Sequence, residues 1–311
     1  MNSHHAHRKL GTALALFYVF LWASAFVPSR VLSTSGPPLW TLVVRFGLAG
    51  GLLLLGTRVA GIPLPTRRGQ WVQLALLGLT GNALYLGFNY TALKHLSSGM
   101  AAIIASTNPL LLALVAPRLL GEPITPRKLA GMLLGFVGVV ISMHARAGTQ
   151  TARPQDVLLA LAGVAAGVAA TVIFKRMKDA PHPVMVNAVQ LASAGVLLVP
   201  AALLIEGAPR VSFPPPVMVS LVWLVVVMSI GASLLWFWLL SHGDASRVSA
   251  FYFLTPVFGL LLGALLLGER LTALDGVGLA VIAVGLVLVT RDPVPPRLPA
   301  AAISSRAPAR R

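Results

Sequence analysis

Long apolar runs recur along nearly the whole chain and are separated by short groups of Pro, Gly and charged residues. A hydrocarbon core of about 30 Å requires about 20 apolar residues of helix, so each run is long enough to span a membrane. The breaks are typical of helix ends, as in Ser35-Gly36-Pro37-Pro38. The pattern predicts an all-α polytopic membrane protein with ten transmembrane helices, at residues 10–32, 39–60, 70–91, 97–119, 127–145, 156–177, 184–205, 216–240, 246–267 and 273–290.

Composition excludes several other classes of protein. Hydrophobic residues make up 57% of the 311 residues and charged residues only 10%, whereas a soluble domain carries roughly 25% charged residues. The absence of cysteine excludes disulfide frameworks, thiolate metal sites and cysteine nucleophiles. The net charge of +16 does not indicate nucleic acid, because the basic residues lie singly or in pairs between apolar runs. We expect a lipid bilayer around the chain, with no metal and no cofactor.

The positive charges predict an orientation. With a cytoplasmic N-terminus, seventeen of the 24 Lys and Arg residues fall on the inner side and six on the outer side, and Arg45 lies within a helix. Under the positive-inside rule, this bias places both termini in the cytoplasm, in a multi-pass protein of the inner (plasma) membrane. The first run and Ala23-Ser24-Ala25 also resemble a cleaved signal peptide, but we expect a retained helix because the run continues through Val31.

The two halves of the chain repeat one pattern. A shift of 147 residues superimposes Asn108-Pro109 on Thr255-Pro256 and Gly121-Glu122 on Gly268-Glu269. Because five helices is an odd number, the second repeat enters the membrane from the opposite side, and inverted repeats of this kind are typical of secondary transporters. The sequence therefore predicts three regions: a first five-helix repeat at 1–148, a second, inverted repeat at 149–290 and a disordered basic cytoplasmic tail at 291–311.

The repeated residues resemble a known family. They are similar to the EamA-type half of the drug/metabolite transporter superfamily, and the resemblance covers about residues 10–290. It implies ten helices, cytoplasmic termini and usually the export of small metabolites or amino acids, without identifying the cargo. The matching segments are Trp22 to Phe26, Arg45-Phe46, Phe88 to Ala101, Asn108-Pro109 and Gly121-Glu122 in the first half, and Trp236-Phe237, Ala245 to Arg247, Leu254 to Pro256 and Leu267 to Leu271 in the second.

Polar and aromatic side chains within the predicted helices are candidates for a substrate site. Unpartnered polar groups are costly in lipid, so these side chains must face protein or water, although some will merely hydrogen-bond a neighbouring helix. Asn82, Tyr85 and Asn89 share one helix face because of their spacing. The tryptophans suit an uncharged or zwitterionic solute, or else form an interfacial belt. The predicted substrate-binding residues are Trp22, Ser24, Asn82, Tyr85, Asn89, Ser106, Asn108, Ser233, Trp236, Tyr252 and Thr255.

A second set of residues has predicted gating or structural roles. Arg45 lies inside a helix, where a charge costs about 3 kcal/mol or more. It extends outward or pairs with Glu269, or alternatively it contacts the carboxylate of a substrate. Glu122 and Glu269 are expected near a helix N-terminus or in an ion pair between the halves, rather than in proton coupling. Pro109 and Pro256 are each expected to interrupt a helix, as prolines at transporter gates do.

These patterns predict a secondary transporter that moves a small organic metabolite, amino-acid-like or neutral, outward by alternating access. Glycine pairs such as Gly47 with Gly51 and Gly131 with Gly135 predict tight contacts within the monomer and leave a homodimer open. The alternatives are a scaffold or receptor-like membrane protein without transport and a membrane-embedded enzyme. An enzyme would need a catalytic group of residues inside the bundle, and we assign none.

Overall fold

The computed structural model describes residues 2–96, 104–144, 153–258, 261 and 273–291, with side chains from residue 10 onward except 142–144. Regular structure in these ranges is helical, without a strand. Large apolar side chains such as Leu204 and Val59 are more than four-fifths exposed, as expected of a surface in lipid. The class of all-α membrane protein is confirmed. Seven helices among the described residues are long and apolar enough to cross a bilayer: Leu10–Thr34, Pro38–Val59, Arg68–Ala92, Pro154–Arg176, Pro183–Glu206, Pro215–His242 and Ala273–Thr290.

Helix starts follow the prolines of the sequence. In the described ranges, five helices begin at a proline, where the missing N–H has no intrahelical partner to lose. A π-helical segment, Leu79–Leu84, lies between the helices Arg68–Gly78 and Tyr85–Ala92, and a second, Trp223–Ala232, lies between Pro215–Val222 and Ser233–His242. The α-helices are α1 Asn2–Ser24, α2 Phe26–Thr34, α3 Pro38–Val59, α4 Arg68–Gly78, α5 Tyr85–Ala92, α6 Asn108–Leu119, α7 Pro126–His144, α8 Pro154–Arg176, α9 Pro183–Glu206, α10 Pro215–Val222, α11 Ser233–His242, α12 Ala245–Ala250 and α13 Ala273–Thr290.

The first predicted helix, 10–32, is divided in the structure. It breaks at Ala25 into α1 and α2. Pro28 explains the break, because it has no N–H to donate to the carbonyl of Ser24 and its ring crowds that carbonyl. The ends of the other long helices agree with the predicted ends to within about two residues, the usual uncertainty of a helix terminus.

The two prolines of the repeated motif lie at helix starts. Near Pro109 the helical path is interrupted: residues 104 and 105 are helical, the chain turns at Ser106 and Thr107, and α6 begins at Asn108. Pro109 is in the first turn of α6, where its missing N–H has no cost. Pro256 likewise follows a short 3₁₀ segment, Phe251–Leu254. Residues 97–103, 259–260 and 262–272, which include Glu269, are outside the described residues.

Helices α3 and α9 pack through glycine. Their backbones are so close that a methyl group on Gly50 would lie 2.6 Å from the nitrogen of Ala192. On the same face, a methyl group on Gly195 would lie 3.3 Å from the nitrogen of Gly47. With a shift of 145 residues, Gly50 corresponds to Gly195 and Ala192 corresponds to Gly47. The second contact is therefore the first one with the roles of α3 and α9 exchanged. The two helices therefore use equivalent positions reciprocally.

Helices α7 and α13 repeat this arrangement. A methyl group on Gly131 would lie 2.7 Å from the carbonyl oxygen of Gly285, and one on Gly138 would lie 2.8 Å from that of Gly278. The shift of 147 residues exchanges these two contacts in the same way. Contacts in which residue i meets j and j meets i are the mark of a twofold relationship.

Candidate functional site

Three adjoining cavities occupy the middle of the helix bundle. Their volumes are ≈ 110, 80 and 10 Å³, and Trp22 and Tyr85 line all three, so we treat them together as the central cavity. A buried water needs about 10–15 Å³ of such space. The larger two cavities therefore have room for several waters or for a small organic molecule.

Most of the predicted substrate-binding residues lie together around this space. Ser24 is the exception, because it does not line the central cavity and its hydroxyl donates to the carbonyl of Leu21 at 2.6 Å. The role of the others in binding stays a prediction. The ten that line the central cavity are Trp22, Asn82, Tyr85, Asn89, Ser106, Asn108, Ser233, Trp236, Tyr252 and Thr255.

Five aromatic rings from both halves form one side of the central cavity, and we call this group the aromatic wall. Tyr18 and Trp22 of α1 stack on Trp236 and Tyr85, with ring centroids 5.1 and 6.2 Å apart. The hydroxyl groups of Tyr18 and Tyr252 are 2.7 Å apart, and Trp22 contacts Tyr252 edge-on. Sequence reasoning missed Tyr18, although its position four residues before Trp22 places both on one face of α1.

Arg45 is enclosed by protein and hydrogen-bonded to both halves. Its Nε donates to the hydroxyl of Ser229 at 3.0 Å, and its Nη1 donates to the hydroxyl of Tyr90 at 3.1 Å. Tyr90 in turn donates to Ser29 at 2.9 Å. The side chain does not extend to an outer surface, since only 6% of Arg45 is exposed. Pairing with Glu269 remains a prediction, because Glu269 lies outside the described residues.

A row of amides continues this network. Asn187 donates to the carbonyl of Ser229 at 2.9 Å, and Gln190 donates to Asn187 at 2.9 Å. Asn82 then donates to Gln190 at 3.3 Å. We call the chain of hydrogen bonds from Ser29 to Asn82 the polar belt. It crosses between the halves, and the shift of 145 residues superimposes its cation, Arg45, on Gln190.

Both π-helical segments border the central cavity. Leu79–Leu84 contributes Asn82, and Trp223–Ala232 contributes Ser229. A π-turn accommodates an extra residue and shifts the register of the helix, which aims side chains that a regular helix would place elsewhere. Here the side-chain hydroxyl of Ser233 donates to the carbonyl of Met228, five residues earlier, at 3.2 Å. Apolar periodicity predicted regular helices here. A local change of helical pitch affects too few residues to alter the periodicity of the sequence.

Glu122 connects the two halves at one end of the central cavity. Its Oε1 accepts from the backbone N–H of Ala245 at 2.8 Å. Its Oε2 accepts from the N–H of Ser246 at 3.1 Å and from the hydroxyl of Ser246 at 2.8 Å. The carboxylate therefore satisfies the free N–H groups at the start of α12, where the helix dipole also favours a negative charge. We call these contacts the Glu122 clasp.

Lys175 connects the Glu122 clasp to the cavity. Its Nζ lies 3.8 Å from Oε1 of Glu122 and donates to the carbonyls of Leu240 at 3.0 Å and Gly243 at 2.8 Å. Leu240 lines the central cavity. Lys175 therefore links the Glu122 clasp to Leu240 in the lining of the cavity.

The chemistry of the described part of the site is hydrogen bonding, ring contact and the charge of Arg45 at the cavity, with Glu122 and Lys175 paired in the clasp. Within the described ranges, no three His, Asp or Glu side chains are grouped as metal ligands. The hydroxyl of Thr255 is buried at the smallest cavity and has no hydrogen-bond partner among the described residues. A buried hydroxyl of this kind can form a hydrogen bond with a polar solute in the cavity.

The chain is similar to known transporters over about nine-tenths of its length. The uncharacterized transporter YvbV of Bacillus subtilis is 28% identical over 282 residues, covering 90% of this chain and 92% of YvbV. The uncharacterized inner membrane transporter YedA of Escherichia coli K12 is 31% identical over 280 residues, covering 89% of each chain. A solved crystal structure shares the fold with a TM-score of 0.74 at 22% identity, covering 91% of this chain and 98% of that chain.

The family match occurs twice, once in each half. Residues 9–143 and 155–291 both match the EamA-like transporter family. The fold, the multi-pass membrane character and the named relatives agree with this match. The chain therefore belongs to the EamA-like transporter family.

Proposed function

We propose that the protein is a secondary transporter that moves a small organic metabolite, amino-acid-like or neutral, outward across the inner membrane. The observation that carries this proposal is the composition of the central cavity. Both the aromatic wall and the polar belt take residues from both halves of the chain. Movement of one half against the other would therefore open the same site to either side of the membrane.

The proposed architecture is ten helices in two inverted repeats, 1–148 and 149–290, with cytoplasmic termini and a cytoplasmic tail. The reciprocal glycine contacts of α3 with α9 and of α7 with α13 support the twofold relationship. Polar contacts also join segments assigned to the same side. Arg67 lies 2.7 Å from Asp179 at the inner side, and Glu206 accepts from the N–H groups of Leu39 and Trp40 at the outer side.

The Glu122 clasp is the proposed cytoplasmic gate. It joins a residue of the first half to the start of α12 in the second half, beside Leu240 of the central cavity. The cavity can open to the cytoplasm only if these hydrogen bonds separate. Because a carboxylate satisfies the free N–H groups of a helix start, the closed arrangement is stable without a bound solute.

Counterflow in proteoliposomes tests the proposal. The full chain is reconstituted, loaded with an unlabelled pool of amino acids and neutral metabolites, and exposed to the same compounds with label, with and without a pH gradient. We expect accumulation of at least one compound, reduced severalfold by Tyr85→Ala. Trp238→Ala is the matched control, because Trp238 is exposed outside the cavity and stacks on His242. Absence of flux from folded protein would overturn the proposal.

A further inference from the structure

Arg45 holds a positive charge in the interior of the bundle. It lies in α3, within an apolar span, and only 6% of it is exposed. A buried charge is costly unless an opposite charge or a dense set of hydrogen bonds compensates it. Intramembrane ionisable residues are accordingly rare and commonly functional. The groups that surround this guanidinium therefore indicate what it binds.

The described protein groups that contact Arg45 are all neutral. They are the hydroxyls of Ser229 and Tyr90 and the ring of Phe46, whose centroid is 5.7 Å from the guanidinium carbon. These hydrogen bonds use two of the five N–H donors of an arginine. Among the residues that the structure describes, no carboxylate lies within salt-bridge distance, and Nη2 has no hydrogen-bond partner. Within the described ranges, three donors and the positive charge of Arg45 are therefore without a protein partner.

The uncommitted donors border open space. Arg45 lines both of the larger cavities, the one of ≈ 110 Å³ and the one of ≈ 80 Å³. Lys175 shows the contrast, because its charge is directed at Glu122 and two backbone carbonyls. A guanidinium with free donors beside a cavity matches a carboxylate, which accepts two parallel hydrogen bonds from it.

The rest of the central cavity defines the remainder of the solute. Trp22 and Tyr85 line the same two cavities as Arg45, so a molecule held at the guanidinium lies within reach of the aromatic wall. Aromatic faces attract apolar groups and ammonium groups. We propose that Arg45 binds the carboxylate of the transported solute, with the rest of the solute against the aromatic wall. This inference rests on the proposed function and names its substrate class as carboxylates.

The test measures ligand-induced stabilisation of the purified full-length protein. The probes are leucine, phenylalanine and tryptophan, each compared with its primary amide and with the corresponding deaminated acid. The amides lack the carboxylate charge and the deaminated acids lack the ammonium. Each probe is titrated against the thermal unfolding midpoint of the wild type, Arg45→Lys and Arg45→Gln. Arg58→Gln is the matched control, because Arg58 lies in α3 but does not line the cavity.

We expect at least one acid to stabilise the wild type with an apparent affinity about tenfold to a hundredfold above that of its amide, as hydrogen bonds to charged groups allow. The deaminated acid keeps this advantage, Arg45→Lys keeps part of it, and Arg45→Gln removes it. Equal binding of acid and amide, retention of the preference in Arg45→Gln, or absence of stabilisation by every acid would overturn the proposal. Stabilisation by a carboxylate without counterflow of any compound would instead overturn the transport function and leave the Arg45 site standing.

Discussion

The carboxylate of Glu122 accepts two hydrogen bonds from Ser246, one from the backbone N–H at 3.1 Å and one from the hydroxyl at 2.8 Å. The two residues come from different halves of the chain and are both buried. Their contact lies beside Leu240, which lines the central cavity and accepts a hydrogen bond from Lys175. We therefore expect a break in this contact to change access to the cavity.

Glu122→Ala is expected to open the cavity to the cytoplasm. It removes the acceptor of three hydrogen bonds and leaves buried N–H groups of α12 unsatisfied, each at a cost of about 1–3 kcal/mol. The chain has no cysteine, so Ser233→Cys provides a single thiol in the central cavity. We expect its reaction with a membrane-impermeant thiol reagent, added from the cytoplasmic side, to become about tenfold faster or more when Glu122→Ala is added.

Arg67→Cys is the control for this measurement. The proposed orientation places Arg67 on the cytoplasmic side, and 72% of its side chain is accessible, so a cysteine at this position should react equally fast with and without Glu122→Ala. An unchanged reaction rate at position 233 would show that the Glu122 clasp does not close the cavity.

Tyr85→Phe is expected to affect transport more than stability. The hydroxyl of Tyr85 has no hydrogen-bond partner in the described part of the chain, so removing it breaks no described protein contact. Tyr18→Phe removes the contact with Tyr252 and should lower the unfolding free energy by about 1 kcal/mol. We expect Tyr85→Phe to reduce counterflow severalfold with an unchanged thermal midpoint. Full counterflow in Tyr85→Phe would remove this hydroxyl from the substrate site.

Gly50→Ala is expected to reduce the yield of folded protein. The added methyl group would lie 2.6 Å from the backbone nitrogen of Ala192, and separating α3 from α9 costs about 1–3 kcal/mol. Gly51→Ala is the matched control on the neighbouring position, because no described atom lies within 4 Å of its methyl group, contrary to the tight contact that the sequence predicted for Gly51. Size-exclusion profiles and thermal midpoints of the two variants provide the comparison. Equal stability of both would contradict the close packing of α3 and α9.

Sequence patterns predicted the faces of helices better than the contacts between them. The spacing of Asn82, Tyr85 and Asn89 placed them on one face, and all three line the central cavity. The partner of Glu122 lies 124 residues away at Ser246, and such a contact depends on how helices cross rather than on local pattern. For the same reason, the neutral partners of Arg45 had no signal in the sequence.

The hydrophobic pattern of the sequence also did not predict local changes in the helix backbone. The break at Ala25 has a visible cause in Pro28, whose effect on the preceding turn follows from its missing N–H. The π-helical segments have no comparable marker, because they change the pitch of a helix that is apolar on most sides. Ser24 does not line the central cavity, and its hydroxyl is satisfied by its own helix, which spacing alone does not reveal.

Two-sided labelling of the central cavity tests the main claim most directly. The Ser233→Cys protein is reconstituted in proteoliposomes, a membrane-impermeant thiol reagent is added from one side or the other, and counterflow of the labelled pool is measured afterwards. Alternating access predicts that reagent from either side reaches position 233 and that labelling abolishes counterflow. Reaction from one side only, together with counterflow that continues after complete labelling, would contradict transport through this cavity.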